Sequence, residues 1–160
     1  MTWLLHILWG FLFNPIAFDL LAMQRNREIL PVYEAYAIAW QIRQTAEKYG
    51  LDSHKLLLVG FGESRWDSEL TNLYQISQTW YNSEDVCREA RTDAASSIDC
   101  AGFVLSYCKR RYGRLSGTLR CWRGYHIEPE LILPKYCKWS EMLTYNSLSR
   151  KEKKEICEGE

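Results

Sequence analysis

Seven consecutive residues, Leu56-Leu57-Leu58-Val59-Gly60-Phe61-Gly62, carry no polar side chain, so a helix built from them has no face to turn to water. Such a helix must be surrounded by other elements. The signals on either side of it are plain. Gly50 stands where a helix-ending glycine takes the left-handed conformation, and Asp52 or Ser53 can cap the helix that follows. Upstream, Tyr36, Ala39, Ile42, Ala46 and Tyr49 recur at spacings of three and four, the mark of an amphipathic helix with Pro31 in its first turn. Gly60 and Gly62 each cost roughly 1 kcal/mol against alanine inside a helix. Close approach of a neighbour, or access for a ligand, is expected to compensate. The apolar run gives out at Glu63. A carboxyl left alone there sits where desolvation disfavours the charged form, and a neutral carboxyl is what a proton donor to a sugar leaving group requires.

The rest of the chain bounds what can be built around that helix. At 160 residues there is material for one domain with a real core. The formal net charge is zero, so no overall field argues for nucleic acid. Seven Trp and ten Tyr are more than packing alone needs, and some are expected to line a groove for sugars or another flat ligand. All six cysteines (Cys87, Cys100, Cys108, Cys121, Cys137 and Cys157) lie in the second half. No close pair of them and no cluster of His6, His54 and His126 argues for zinc. An even count points to disulfides in an oxidising compartment, with the pairing left open.

Residues 3–23 are the most apolar stretch, interrupted by His6, Asn14, Pro15 and Asp19. The length approaches a membrane span, but no Lys or Arg precedes Arg25, and Arg25 and Arg27 follow the segment where basic residues favour the cytoplasmic side. Three readings stay open: an imperfect anchor, an interfacial segment, or a helix pair broken at Asn14-Pro15 that packs on the domain. After Trp66 the chain reads as loop to about Asn82, with Asn82 or Ser83 capping a short helix from Glu84. A longer helix runs from Thr92 or Asp93 to Tyr112, stopped by Gly113, and a short one covers Thr118 to Arg123. Leu131-Ile132-Leu133, between two prolines, is the one weak strand signal. From Ser149 the tail is charged and is expected to fray. The organisation expected is an apolar N-terminal segment (1–27), a helical domain (28–139) and a charged C-terminal tail (140–160).

Three stretches carry a family resemblance. AEKYGLDSHKLLLVGFGESRWDSEL resembles the opening of the lysozyme-like lytic transglycosylases, in which a helix ends in a Tyr-Gly-Leu-Asp type turn and a buried helix finishes in Glu-Ser followed by an aromatic. The matching residues are Tyr49, Gly50, Leu51 and Asp52, then Glu63, Ser64 and Trp66. Leu73-Tyr74-Gln75-Ile76, with Thr79-Trp80 after it, is similar to the family's Gly-Leu-Met-Gln segment. LSYCKRRYGRLSGTLRCWRG, from Leu105 to Gly124, is similar to the helix, Arg-Tyr-Gly turn and Tyr-Asn-Ala-Gly segment that close the groove. The resemblance spans roughly residues 35 to 126. Two departures stand out: the Ser-x-x-Gly-Ala-x-Gly stretch after the acid is missing, and Trp122 and Arg123 stand where Tyr and Asn are usual.

The resemblance implies a mainly α, lysozyme-like helical domain with a substrate groove, preceded by the apolar segment. It implies cleavage of the β-1,4 bond between N-acetylmuramic acid and N-acetylglucosamine in bacterial peptidoglycan, by a lytic transglycosylase or muramidase. Glu63 is the expected catalytic acid, and Ser64, Tyr74, Gln75, Trp80, Trp122 and Tyr125 are expected to bind substrate. Most glycosidases pair the acid with a second carboxylate; here Asp67 and Glu69 are near in sequence but fall in an expected loop. The implied single-acid chemistry does without one: Glu63 gives up its proton, then takes one from the sugar's own 6-hydroxyl as a 1,6-anhydro ring closes. No metal or cofactor enters. The expected partners are peptidoglycan glycan strands, with membrane association through residues 3–23 as one reading and no nucleic acid. The expected location is the cell envelope, periplasmic or extracellular. The basic run Lys109, Arg110, Arg111, Arg114, Arg120 and Arg123, with no acid between Asp99 and Glu128, reads first as a solvated face and helix-end charge, and second as a contact for an anionic wall polymer. Two other classes remain: a catalytically degenerate peptidoglycan-binding or envelope-assembly module, and a membrane-associated interaction protein.

Overall fold

The computed structural model of the chain describes residues 13–24, 30–66, 70–124, 128–145 and 148–159. It is mainly α-helical, with no strand among the described residues. The all-apolar run forms α3 (Ser53–Ser64), capped by the Asp52 carboxylate, which accepts from the backbone N–H groups of His54 and Lys55. Leu56 to Phe61 are all buried. α3 is walled in by α1 (Pro15–Met23), α2 (Val32–Tyr49), α5 (Ala94–Tyr112) and α7 (Pro129–Ser140). That enclosure is what a helix without a polar face requires. α2 buries Ala35, Ala39, Ile42 and Ala46, and ends at Gly50, whose φ of 64° lies in the left-handed region.

The N-terminal apolar stretch is broken at Asn14-Pro15. Asn14 caps α1, accepting from the N–H of Ile16, and Ile16, Ala17, Leu20 and Met23 enter the core. Of the three readings of this stretch, its second half follows the packed helix, and residues 1–12 lie outside the described residues. Among the described residues no helix is long and apolar enough to cross a membrane. Asp19, fully buried, fixes α1 to the C-terminal part of the chain: its carboxylate accepts from the N–H of Thr144 at 2.6 Å and of Tyr145 at 3.1 Å, with the His54 imidazole 3.3 Å away. α1 is thus part of the same core as the helices that follow it.

After Trp66 the structure differs from expectation in several places: the helix expected from Glu84 is a 3-10 turn, and the one expected from Thr118 begins at Leu115. The segment expected to be loop as far as Asn82 contains α4 (Gln78–Ser83), followed by a 3-10 turn at Asp85–Cys87. Leu131-Ile132-Leu133 lies inside α7: Pro129 starts this helix, and Ile132, Leu133 and Tyr136 turn inward while Leu131 stays exposed. A short apolar run between prolines does not distinguish strand from helix; the four-residue return to Tyr136 does. The charged tail does not fray. It forms α8 (Arg150–Cys157), opened by a capping box in which Ser149 Oγ accepts from the N–H of Glu152 and the Glu152 carboxylate accepts from that of Ser149. Lys55 pairs with Glu152, Ile156 is buried, and the backbone N–H of Ser116 donates to Glu155. α5 behaves as expected, with Asp93 as its cap and Gly113 as its stop.

The six cysteines pair as Cys87–Cys100, Cys108–Cys121 and Cys137–Cys157. The first ties the 3-10 turn to α5, the second ties α6 (Leu115–Arg123) to α5, and the third ties α8 to α7. Two close 13-residue separations and the third a 20-residue one; cross-links of this span contribute about 3 kcal/mol each in the chain-entropy account. Replacing both Cys137 and Cys157 by Ala is expected to lower the unfolding free energy by about 3 kcal/mol and to make α8 the first segment cut in limited proteolysis. Asp19→Ala is expected to cost on the order of 3 kcal/mol in urea unfolding, because it removes the buried charged acceptor of two backbone N–H groups, whereas Asp19→Asn, which keeps an acceptor, costs less.

Candidate functional site

Glu63 occupies the last turn of α3, and the chain after it turns sharply. Arg65 and Trp66 both take left-handed φ values of 57°. The third non-glycine residue of this kind among those described is Gln75, at 49°, and it lines the same cleft as Glu63. Backbone of this sort persists only where its surroundings over-determine it, and it gathers at functional sites. The surroundings are visible. Trp66 is buried against α3, where a Cβ on Gly60 would lie 2.1 Å from its ring and 2.8 Å from that of Tyr74. Gly62 similarly leaves room for Trp139. Arg65 stacks over Trp139 at 4.2 Å and Phe61 at 4.8 Å, and donates to the carbonyl of Phe61. The two glycines thus serve close approach by aromatic rings.

An edge-to-face series carries that packing to the acid. Trp66 meets Tyr74 with centroids 5.7 Å apart, and Tyr74 meets Trp122 at 6.1 Å. Trp122 Nε1 then donates to Glu63 Oε1 at 2.9 Å. Next to it, Arg123 Nη1 donates to both carboxylate oxygens, at 2.7 and 2.9 Å. The Glu63 side chain is 8% exposed and that of Arg123 39%. The expectation of a solitary carboxyl is therefore corrected: Glu63 is ion-paired, because a charge drawn this far from water needs a partner, and α6 supplies one. Burial works against the Arg123 cation, but the charge of Glu63 and its hydrogen bonds more than offset this and raise the guanidinium. Tyr136, buried nearby, has its hydroxyl pushed up by burial first and by the Glu63 charge second.

Glu63, Gln75, Trp80, Trp122 and Arg123 line one cleft of about 180 Å³, together with Ile76, Ser77 and Val104. Of the residues expected at the site, four are brought together: Glu63, Gln75, Trp80 and Trp122. Trp80 packs edge-on against Phe103 and Tyr107. Gln75 donates to the carbonyl of Asn72, which holds its turn. Two do not reach the cleft. Tyr74 is fully buried, its hydroxyl donating to the carbonyl of Leu56 at 2.8 Å; Ser64 is buried, its Oγ within 3.3 Å of the Gly60 carbonyl and accepting from the N–H of Trp66. Both are scaffold here, Ser64 by the back-bonding common in this residue. Tyr125 lies outside the described residues, as do Asp67 and Glu69.

Ile76, Ser77 and Val104 are unexpected lining of the cleft, and Arg123 is the charged cleft residue not expected at the site. The signal for it was an acid ending an apolar helix, which must find a counter-charge, beside a basic run with no acid of its own. Three others of that run have local uses: Lys109 donates to the Gly50 carbonyl at the end of α2, Arg110 to Ser106 and Arg111 to Tyr107. A larger depression of about 930 Å³ lies between α2 and the start of α5, lined by Val32, Tyr33, Tyr36, Trp40 and Ile98 among others. Its one acid, Asp93, is engaged as the cap of α5, so the chemistry stays with the Glu63 cleft. Among the described residues no three of His, Cys, Asp and Glu gather as a metal would require.

Set against protein-family models, curated proteins and solved structures, the chain matches none of them. The functional reading therefore rests on the cleft itself and on the residues that form it. Gly60→Ala is expected to destabilise by about 1–3 kcal/mol through overpacking against Trp66 and Tyr74, more than the roughly 1 kcal/mol gained in helix propensity. A urea titration of both proteins, followed by Trp fluorescence, checks it.

Proposed function

We propose that the chain cleaves the β-1,4 bond between N-acetylmuramic acid and N-acetylglucosamine in peptidoglycan, with Glu63 as the single acid and base. The observation that carries this reading is convergence: Glu63, Gln75, Trp80 and Trp122 come from three separate stretches of chain and share one cleft. Trp80 and Trp122 offer flat apolar faces of the kind that sugar rings pack on, and Gln75 offers an amide. With its proton, Glu63 protonates the glycosidic oxygen as the C1–O bond breaks. The 6-hydroxyl oxygen of the same sugar then closes on C1, and its proton returns to Glu63. The balance needs neither water nor a second carboxylate. The three disulfides suit a protein that works in an oxidising compartment, where a wall polymer is met.

A second reading has one observation in its favour. The Arg123 ion pair occupies the Glu63 carboxylate, as in a groove that binds glycan without turning it over. Purified walls separate the two. Loss of turbidity, reduced roughly 100- to 10,000-fold by Glu63→Gln, supports cleavage; pelleting with walls, without release of fragments, in both proteins supports the binding module. Mass spectrometry of released fragments decides the chemistry, since 1,6-anhydro ends mean transglycosylation and reducing ends mean hydrolysis.

A further inference from the structure

We propose that Arg123 recognises a carboxylate carried by the glycan and, in moving to it, frees Glu63 for proton transfer; this rests on the cleavage reading above. Proton donation needs Glu63 neutral, whereas the pair with Arg123 uses it charged. The two uses compete for one side chain. Neutralising Glu63 with Arg123 in place would take away the guanidinium's counter-charge and the charge-assisted character of both its hydrogen bonds. Among the described residues lining the cleft, Glu63 is the one acid and Arg123 the one base. The cleft is therefore neutral as it stands, and carries a single positive charge once Glu63 holds a proton. An anionic glycan matches that second state and a neutral one does not.

The geometry allows the exchange. Both bonds from Arg123 to Glu63 leave from Nη1, so the edge formed by Nε–H and Nη2–H takes no part in that pair. A guanidinium edge of this kind receives a carboxylate through two parallel hydrogen bonds. Arg123 is also the more exposed partner, and Glu63 keeps the Trp122 indole as donor when the guanidinium leaves. The carboxylate is that of the lactyl arm of a muramic acid residue carrying no peptide, so a chitin-type glycan lacking it binds without releasing the acid. The proton count closes. Solvent supplies one proton to Glu63 as the guanidinium departs, the glycosidic oxygen takes it, and the 6-hydroxyl restores it.

Calorimetric titration tests this with two tetrasaccharides of equal length, one of N-acetylglucosamine alone and one alternating with N-acetylmuramic acid. In the Glu63→Gln protein, where turnover is blocked, the carboxylated glycan is expected to bind at least about tenfold tighter. Adding Arg123→Gln removes the preference, and Arg123→Lys, which keeps charge without the fork, restores part of it. With a thio-linked, uncleavable muramic glycan, the native protein takes up about one proton on binding, seen as a dependence of heat on buffer ionisation, and Glu63→Gln abolishes the uptake. Equal affinity for the two glycans, in a protein that still clears walls, overturns the inference and leaves cleavage standing. Preference that depends on Arg123 without any wall clearance overturns cleavage and leaves carboxylate recognition standing. Binding of neither glycan overturns both.

Discussion

Trp66 seats its ring directly against Gly60, and the cleft is built outward from that contact. No Cβ fits between them, and the run from Leu56 to Gly62 has no polar side chain to turn that face to water. From this contact follow the left-handed turn at Arg65 and Trp66, the burial of Tyr74 and the edge-on placement of Trp122. The indole of Trp122 and the guanidinium of Arg123 then arrive together at Glu63. A ligand cleft on this protein is thus the outer end of a packed aromatic series, and its precision is set by core packing, where sub-ångström shifts are felt.

Cross-links and caps close the same structure from outside. α6, which presents Trp122 and Arg123, is held to α5 by Cys108–Cys121. α7, which presents Tyr136, is held to α8 by Cys137–Cys157. The N-terminal helix is fixed through buried Asp19 to the backbone at Thr144 and Tyr145. Residues far apart in sequence therefore brace the helices packed around α3 from both chain directions. That arrangement favours a rigid site, one in which side-chain exchange at Arg123 is a smaller step than any movement of helices.

Much of the helical framework was legible along the chain. Asp52, Asp93, Gly50 and Gly113 mark helix ends because capping is a local matter between a side chain or a glycine and the nearest backbone groups. The unbroken apolar run foretold burial of α3 for an equally local reason. Errors fell where tertiary contact decides. Leu131 to Leu133 could suit either regular structure until Tyr136 found the core. The tail looked too charged to hold until Ile156, the capping box and the cross-link to Cys137 were counted together. Tyr74 and Ser64 sit at motif positions that suggest a groove, yet which way a side chain points depends on the turn that carries it.

Local rules along the chain already fix that it is mainly helical, that α3 is enclosed, and that Glu63 ends an apolar helix, since propensity, periodicity and capping act over a few residues. The tertiary structure alone decided the cysteine pairing and which aromatic residues reach the surface. It also decided that Glu63 faces Arg123 across 60 residues of chain. The reason is physical: a buried charge requires a partner within a few ångströms, but nothing in a linear pattern says which cation the packing of other helices will bring there.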